Sequence, residues 1–152
     1  MLAHTDDAEP QGVQAFSWLT LTIFNLLYDS FPAPVDISGL RFVLETVFTH
    51  GPESKESEWS KYFDASLKWL ESEGFIAVAG RTIDGKYIGV SLTMRGLTAL
   101  SYAQSSMLAF SRRRPLIHKI KELIKPGFKS ASGVAAKVLL GKIFEAMLRT
   151  HL

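Results

Sequence analysis

The stretch Leu67-Lys68-Trp69-Leu70-Glu71-Ser72-Glu73-Gly74-Phe75-Ile76, followed across a hairpin by Leu92-Thr93-Met94-Arg95-Gly96-Leu97, decides the fold class. Upstream of Gly74, the residues Trp59, Phe63, Leu67 and Leu70 fall at i, i+4, i+8 and i+11. That spacing predicts a helix over residues 58–72 with one narrow apolar face. Gly74 is the residue type that ends such a helix in a left-handed cap. Beyond it, residues 75–83 and 86–93 bracket Asp84-Gly85, a pair that favours a two-residue hairpin turn. Pairing across that turn puts Ala77 and Ala79 on a buried face with Ile88, Val90 and Leu92, leaving Thr82, Tyr87 and Ser91 outside. Thr93 then caps a further helix that runs to about residue 110 on Met94, Leu97, Tyr102 and Leu108.

Working back from this stretch, residues 13–30 read as a helix on Phe16, Leu19, Ile23, Leu26 and Leu27. Phe31-Pro32-Ala33-Pro34 stops it, because a residue before proline is driven to extended geometry. Asp36 is placed to cap a second helix over residues 37–49, whose buried stripe is Leu40, Val43, Leu44 and Val47, and Gly51-Pro52 closes it. Working forward, Pro115 suits the first turn of a short helix bearing Leu116, Ile117, Ile120, Leu123 and Ile124, with Lys119, Lys121 and Lys125 on its other side. After Pro126-Gly127 a last helix, residues 131–150, sets Ala136, Leu139, Leu140, Ile143 and Met147 against Lys142, Glu145 and Arg149. The expected architecture is mainly α with a small β-hairpin: a polar leader over residues 1–12, a folded domain over 13–110 and a basic amphipathic helical tail over 111–152.

Three helices, the run over residues 67–76, a hairpin, and the run over 92–97 opening another helix resemble the winged helix-turn-helix superfamily over about residues 13–103. MarR-like and PadR-like regulators are bacterial members. The resemblance implies a winged-helix domain whose third helix enters the DNA major groove and whose hairpin wing touches the backbone, and it carries function only by analogy. The link over residues 50–57 is longer than the tight turn of the DNA-reading motif.

At 152 residues the chain supports one sizeable core, and 47% hydrophobic with 21% charged residues is the balance of a folded domain. The absence of cysteine excludes disulfides, thiolate zinc sites and thiol nucleophiles, and fits a reducing compartment. Asp6, Asp7 and Glu9 are the opposite of a basic secretory signal, and no run of about 18 uninterrupted apolar residues exists, so the expected location is cytoplasmic. Charge is lopsided: residues 1–80 hold 4 basic and 12 acidic side chains, net −8, whereas residues 81–152 hold 13 and 3, net +10. Such asymmetry points to a basic interaction surface in the second half.

With the apolar face of the third helix inward, Lys61, Ala65, Lys68 and Ser72 turn outward, a slim stripe with lysines placed for phosphate or guanine contacts. Asp64, Glu58 and Glu71 oppose that role, because carboxylates repel phosphates, and an ordinary solvated face would carry the same residues. Arg81 and Lys86 near the wing tip, Arg95 at the start of the next helix, and Arg112, Arg113 and Arg114 complete the expected nucleic-acid contacts. The tail cations, with Lys119, Lys121, Lys125 and Lys129, serve equally to clamp nucleic acid, to lie on an anionic membrane or to solubilise two apolar helix faces. Leu139, Leu140, Ile143 and Met147 need a partner, since an isolated helix of that length is marginal in water. That partner is the chain's own core, a second copy in a homodimer, or another protein. Small residues Ala131, Gly133, Ala135, Ala136 and Gly141 allow close helix approach, and Tyr62 with Trp69, on the flank of the third helix, could stack on bases or on a protein partner, although a second buried face is the favoured reading.

No catalytic set is legible. His4, His50, His118 and His151 are scattered without ligand spacing. Gly80, Gly85 and Gly89 lie in a hairpin rather than a phosphate loop. Glu71 with Glu73, and Glu56 with Glu58, fall in an exposed charged segment. The expectation is therefore no enzyme, no metal and no cofactor. The leading functional expectation is a nucleic-acid-binding winged-helix protein, a DNA-binding regulator or accessory factor. The alternatives are a protein-binding adaptor or accessory subunit assembling through the acidic first half and basic tail, and a membrane-docked factor working through the cationic tail.

Overall fold

The computed structural model describes residues 11–39, 42, 56–101, 115–124 and 133–151. Helix α1 (Gln11–Ser30) is central and packs against the four other helices named below and the longest strand. Its Ala15, Trp18, Leu19, Leu21, Ile23, Phe24 and Leu27 are all buried, so more than one stripe faces protein. Leu26, expected inside, is exposed, while Ser17 and Thr20 are buried. The Ser17 hydroxyl meets its need within the helix, donating to the Val13 carbonyl at 2.9 Å. After a turn containing a cis Phe31–Pro32 peptide, the chain enters strand β1 (Val35–Ser38).

Strand β1 replaces the expected helix start. Ile37 is buried in the sheet, and helical backbone begins only at Gly39. Asp36 is not a helix cap: its carboxylate accepts a 2.9 Å hydrogen bond from the Gly89 amide in a strand 53 residues away. Phe42 is helical and buried; Leu40, Val43, Leu44, Val47 and the 50–57 link lie outside the described residues, apart from 56 and 57.

Helix α2 (Glu56–Ser72) buries Phe63, Ser66, Leu67 and Leu70, as its spacing predicts; the Trp59 side chain lies outside the described set. It ends in a Schellman cap: the Phe75 amide donates to the Leu70 carbonyl at 3.0 Å and the Gly74 amide to Glu71 at 3.1 Å. Gly74 has φ +87°, which a side chain resists.

Strands β2 (Ile76–Ala77) and β3 (Gly80–Arg81) both pair antiparallel with β4 (Lys86–Leu92), and β1 pairs with the other edge of β4, giving the order β1-β4-β2. Arg81 faces Tyr87, so the connection is a three-residue loop, Ile83-Asp84-Gly85, not the expected two-residue turn. The Thr82 side chain holds this loop, bonding Asp84 and accepting from the Lys86 amide at 3.0 Å. The extra loop residue slips the register by one, which flips the faces of β2 and β3. Ile76, opposite Leu92, is therefore buried, and Ala77 and Ala79 are exposed.

Tyr87, expected outside, is also buried. The pairing of β1 with β4 jumps between Val35↔Val90 and Ile37↔Tyr87, a bulge that sets Ile88 and Gly89 against Asp36. Gly89 takes φ +64°, and a Cβ there would lie 2.8 Å from that of Ala79. The bulge resets the alternation, so Tyr87 and Val90 both point inward.

Helix α3 (Met94–Ser101) starts as expected, with the Gly96 amide donating to the Thr93 hydroxyl oxygen at 3.1 Å. Gly96, Ala99 and Leu100 are buried and Leu97 half-buried, but Met94 is exposed because it sits one turn position off this face. Tyr102 and Leu108 lie outside the described residues. Helix α4 (Leu116–Leu123) buries Leu116, Ile117, Ile120 and Leu123, and Pro115 occupies its N-cap. Helix α5 (Gly133–His151) packs on α1, α3 and α4 and buries Ala136, Leu139, Leu140, Ile143 and Ala146. These residues join one cluster with Trp18, Leu67 and Leu92, so residues of the 111–152 segment share the core built by residues 13–101. No helix among the described residues is long and apolar enough to cross a membrane.

Candidate nucleic-acid interface

The exposed side of α2 and the hairpin meet through one buried hydroxyl. The Tyr87 phenol, carried inward by the bulge, donates to the Asp64 carboxylate on α2. Tyr87 also rests edge-on to Phe63 at 5.8 Å between ring centres, and the Arg81 guanidinium lies 5.1 Å over its ring. Arg81 reaches Glu71 at 3.8 Å, and Lys68 pairs with Asp64 at 3.2 Å one helical turn away. Lys68, Arg81, Asp64 and Glu71 thus form a mixed-charge band joining helix to hairpin.

The hydrogen bond from Tyr87 holds the Asp64 carboxyl below its ordinary value, with Lys68 and Arg81 adding to the effect against partial burial. Burial and the neighbouring Asp64 charge push the Tyr87 phenol well above its ordinary value. The sign for stability follows: Asp64 contributes at pH above the ordinary carboxyl value of 3.8 and loses its contribution as pH falls through the lowered folded value. Tyr87→Phe removes the largest cause. The variant is expected to lose about 1 kcal/mol near neutral pH and progressively less as pH falls below the ordinary carboxyl value, narrowing the gap to wild type in denaturant melts. A gap that stays constant or widens on acidification contradicts the assignment.

The remaining expected contacts divide. Lys61 and Lys86 are exposed and form no ion pair among the described residues, and Ser72 is exposed with its hydroxyl donating to the Trp69 carbonyl at 3.0 Å. Arg95 is turned to structural work: its guanidinium packs on Gly74 and donates to the Glu73 carbonyl at 3.3 Å, tying α3 to the end of α2. Arg112, Arg113 and Arg114, with Lys125 and Lys129, lie outside the described residues. Lys121 meets Asp29 at 2.6 Å and Asn25 at 2.8 Å, docking α4 on α1. Leu139, Leu140 and Ile143 are buried in the chain's own core, so they offer no exposed docking face; the Met147 side chain lies outside the described residues. Among the described residues no group of three or more His, Asp or Glu is placed to hold a metal ion.

A feature missed in the sequence is an open apolar groove of about 410 Å³ between α1, α2 and α5. Phe16, Tyr62, Ala65, Ser66, Trp69 and Phe144 line it. Trp69, expected to be buried, is 41% exposed there, with Phe16 edge-on at 5.3 Å and Phe144 tilted at 5.4 Å. Residues from three distant segments meet in it, and only the aromatic flank of α2 hinted at it. No protein-family model, curated protein or solved structure matches this chain.

Proposed function

We propose that the chain is a winged-helix protein that binds nucleic acid through the exposed side of α2 and the tip of the β3–β4 hairpin. One observation carries this reading: a helix runs through a Schellman cap straight into a hairpin whose last strand is the middle of a β1-β4-β2 sheet. That order fits the connectivity expected of a winged helix, and the Tyr87–Asp64 and Arg81–Glu71 contacts lay the hairpin on the side of α2 that carries Lys68. Arg95 is reassigned to positioning, since its guanidinium is committed to the α2 terminus.

The carboxylates decide how strong such binding is. Lys68 and Arg81 are paired through side chains roughly half exposed, and exposed pairs contribute only about 0–1 kcal/mol, so phosphates can displace them. The displaced Asp64 and Glu71 remain nearby and subtract from the attraction. Binding is therefore weak, backbone-directed and carried chiefly by Lys61 and Lys86. Arg81→Ala with Lys86→Ala should lower the dependence of log affinity on log salt by about 1 to 2. An unchanged slope and affinity for duplex DNA would remove the hairpin from the interface.

The near balance of Lys61, Lys68, Arg81 and Lys86 against Asp64, Glu71, Glu73 and Asp84 favours a second reading, a winged helix that docks an oppositely patterned protein surface. Absence of any nucleic-acid binding at low salt would bring that reading forward.

A further inference from the structure

We propose that the groove between α1, α2 and α5 is a binding site for a small, flat, largely apolar aromatic molecule carrying one polar substituent. Three observations carry it, none of which depends on the nucleic-acid reading. The walls are aromatic: Phe16, Trp69 and Phe144 stand mutually edge-on or tilted at 5.3 to 6.3 Å, leaving ring faces and edges for a further ring to join. Trp69 keeps 41% of its surface exposed although it sits in the middle of this cluster, the position in which aromatic anchors bind. Ser66 supplies the polar term. It is only 3% exposed and lines the groove, yet its hydroxyl has no hydrogen-bond partner among the described residues. A ligand group that reaches it gains a directional hydrogen bond beside the aromatic contacts.

Size selects the class of occupant. A groove of about 410 Å³ lies at the lower end of small-molecule sites.

The test uses 2-naphthol and naphthalene, which share a ring system and differ by the hydroxyl, titrated into the full chain by calorimetry. The expected result is saturable one-to-one binding, with 2-naphthol about threefold to tenfold tighter than naphthalene. Ser66→Ala should leave the fold intact and make the two affinities equal. Ala65→Phe, at an exposed position on the groove wall, should abolish binding of both while the thermal melt is kept. No saturable binding by either compound overturns the proposal, as does binding that survives Ala65→Phe. A 2-naphthol preference retained in Ser66→Ala overturns the role of the hydroxyl. Sedimentation as a dimer that Ala65→Phe dissociates would assign the groove to a second copy instead and likewise overturn it.

Discussion

Replacing Gly96 by alanine is expected to destabilise the chain by about 2 kcal/mol or more, whereas the same change at Gly141 stabilises it by about 0.5 to 1 kcal/mol. Both glycines sit inside helices, where alanine is intrinsically the better residue. At Gly141 nothing lies within 4 Å of the added carbon, so only the helical preference is felt. At Gly96 the added carbon would meet the Phe75 carbonyl oxygen at 2.4 Å and a Leu92 methyl at 3.1 Å. The carbonyl cannot yield easily, because the Thr93 amide and hydroxyl both bond it and the Thr93 hydroxyl also donates to Gly74 at 2.6 Å. Relief of the clash must lift the start of α3 from the end of α2 and pull Arg95 from the Glu73 carbonyl. Chemical denaturation of the two variants side by side checks the opposite signs, and loss of stability at both positions would contradict the close packing of α3.

Ile143→Asp is expected to abolish cooperative folding of the entire chain. Ile143 is fully buried, and its replacement removes an apolar side chain worth about 2 to 5 kcal/mol and introduces a carboxyl with no partner in the core. Together these are on the order of the whole stability of a domain this size. Because Ile143 shares one cluster with Trp18 on α1 and Leu92 on β4, the damage is not confined to α5. Leu148→Asp, on the exposed side of the same helix, should change stability by no more than about 0.5 kcal/mol. Far-ultraviolet circular dichroism with thermal melting separates the cases. Survival of a cooperative α1–α3 transition in Ile143→Asp would show that the 111–152 segment is an appendage rather than part of the core.

Local features were legible in the sequence, and features made by distant partners were not. The stripe Phe63, Leu67 and Leu70, the cap at Gly74 and the cap at Thr93 depend on neighbours within a few residues, and each lies where spacing and residue type put it. Strand β1 has only four residues and acquires its identity from β4, so Asp36 read as a helix cap although it serves the bulge at Gly89. The same bulge turned Tyr87 inward, and a loop one residue longer than Asp84-Gly85 suggests exchanged Ala77 for Ile76 on the buried face. Helix α1 read as a single stripe because Ser17 and Thr20 look polar, though α1 is packed on several sides. On the candidate interface, the pair Asp64–Lys68 is readable at i, i+4, whereas Arg81–Glu71 and Tyr87–Asp64 needed the hairpin to be laid on α2. The groove needed α5 to be folded back before Phe144 could meet Phe16 and Trp69.

The nucleic-acid reading is tested most directly by fluorescence anisotropy of a labelled duplex DNA titrated with the full chain between about 50 and about 200 mM salt. Two lysines with no ion pair among the described residues and two paired cations predict measurable binding at the low end, with a slope of log affinity against log salt between about −2 and −4. Lys61→Ala with Lys86→Ala should bring that slope close to its charge-compensated remainder, and Asp64→Asn with Glu71→Gln should tighten binding. No binding at the lowest salt, or a slope indifferent to all four substitutions, would contradict the account and leave the α2–hairpin face a protein-docking surface.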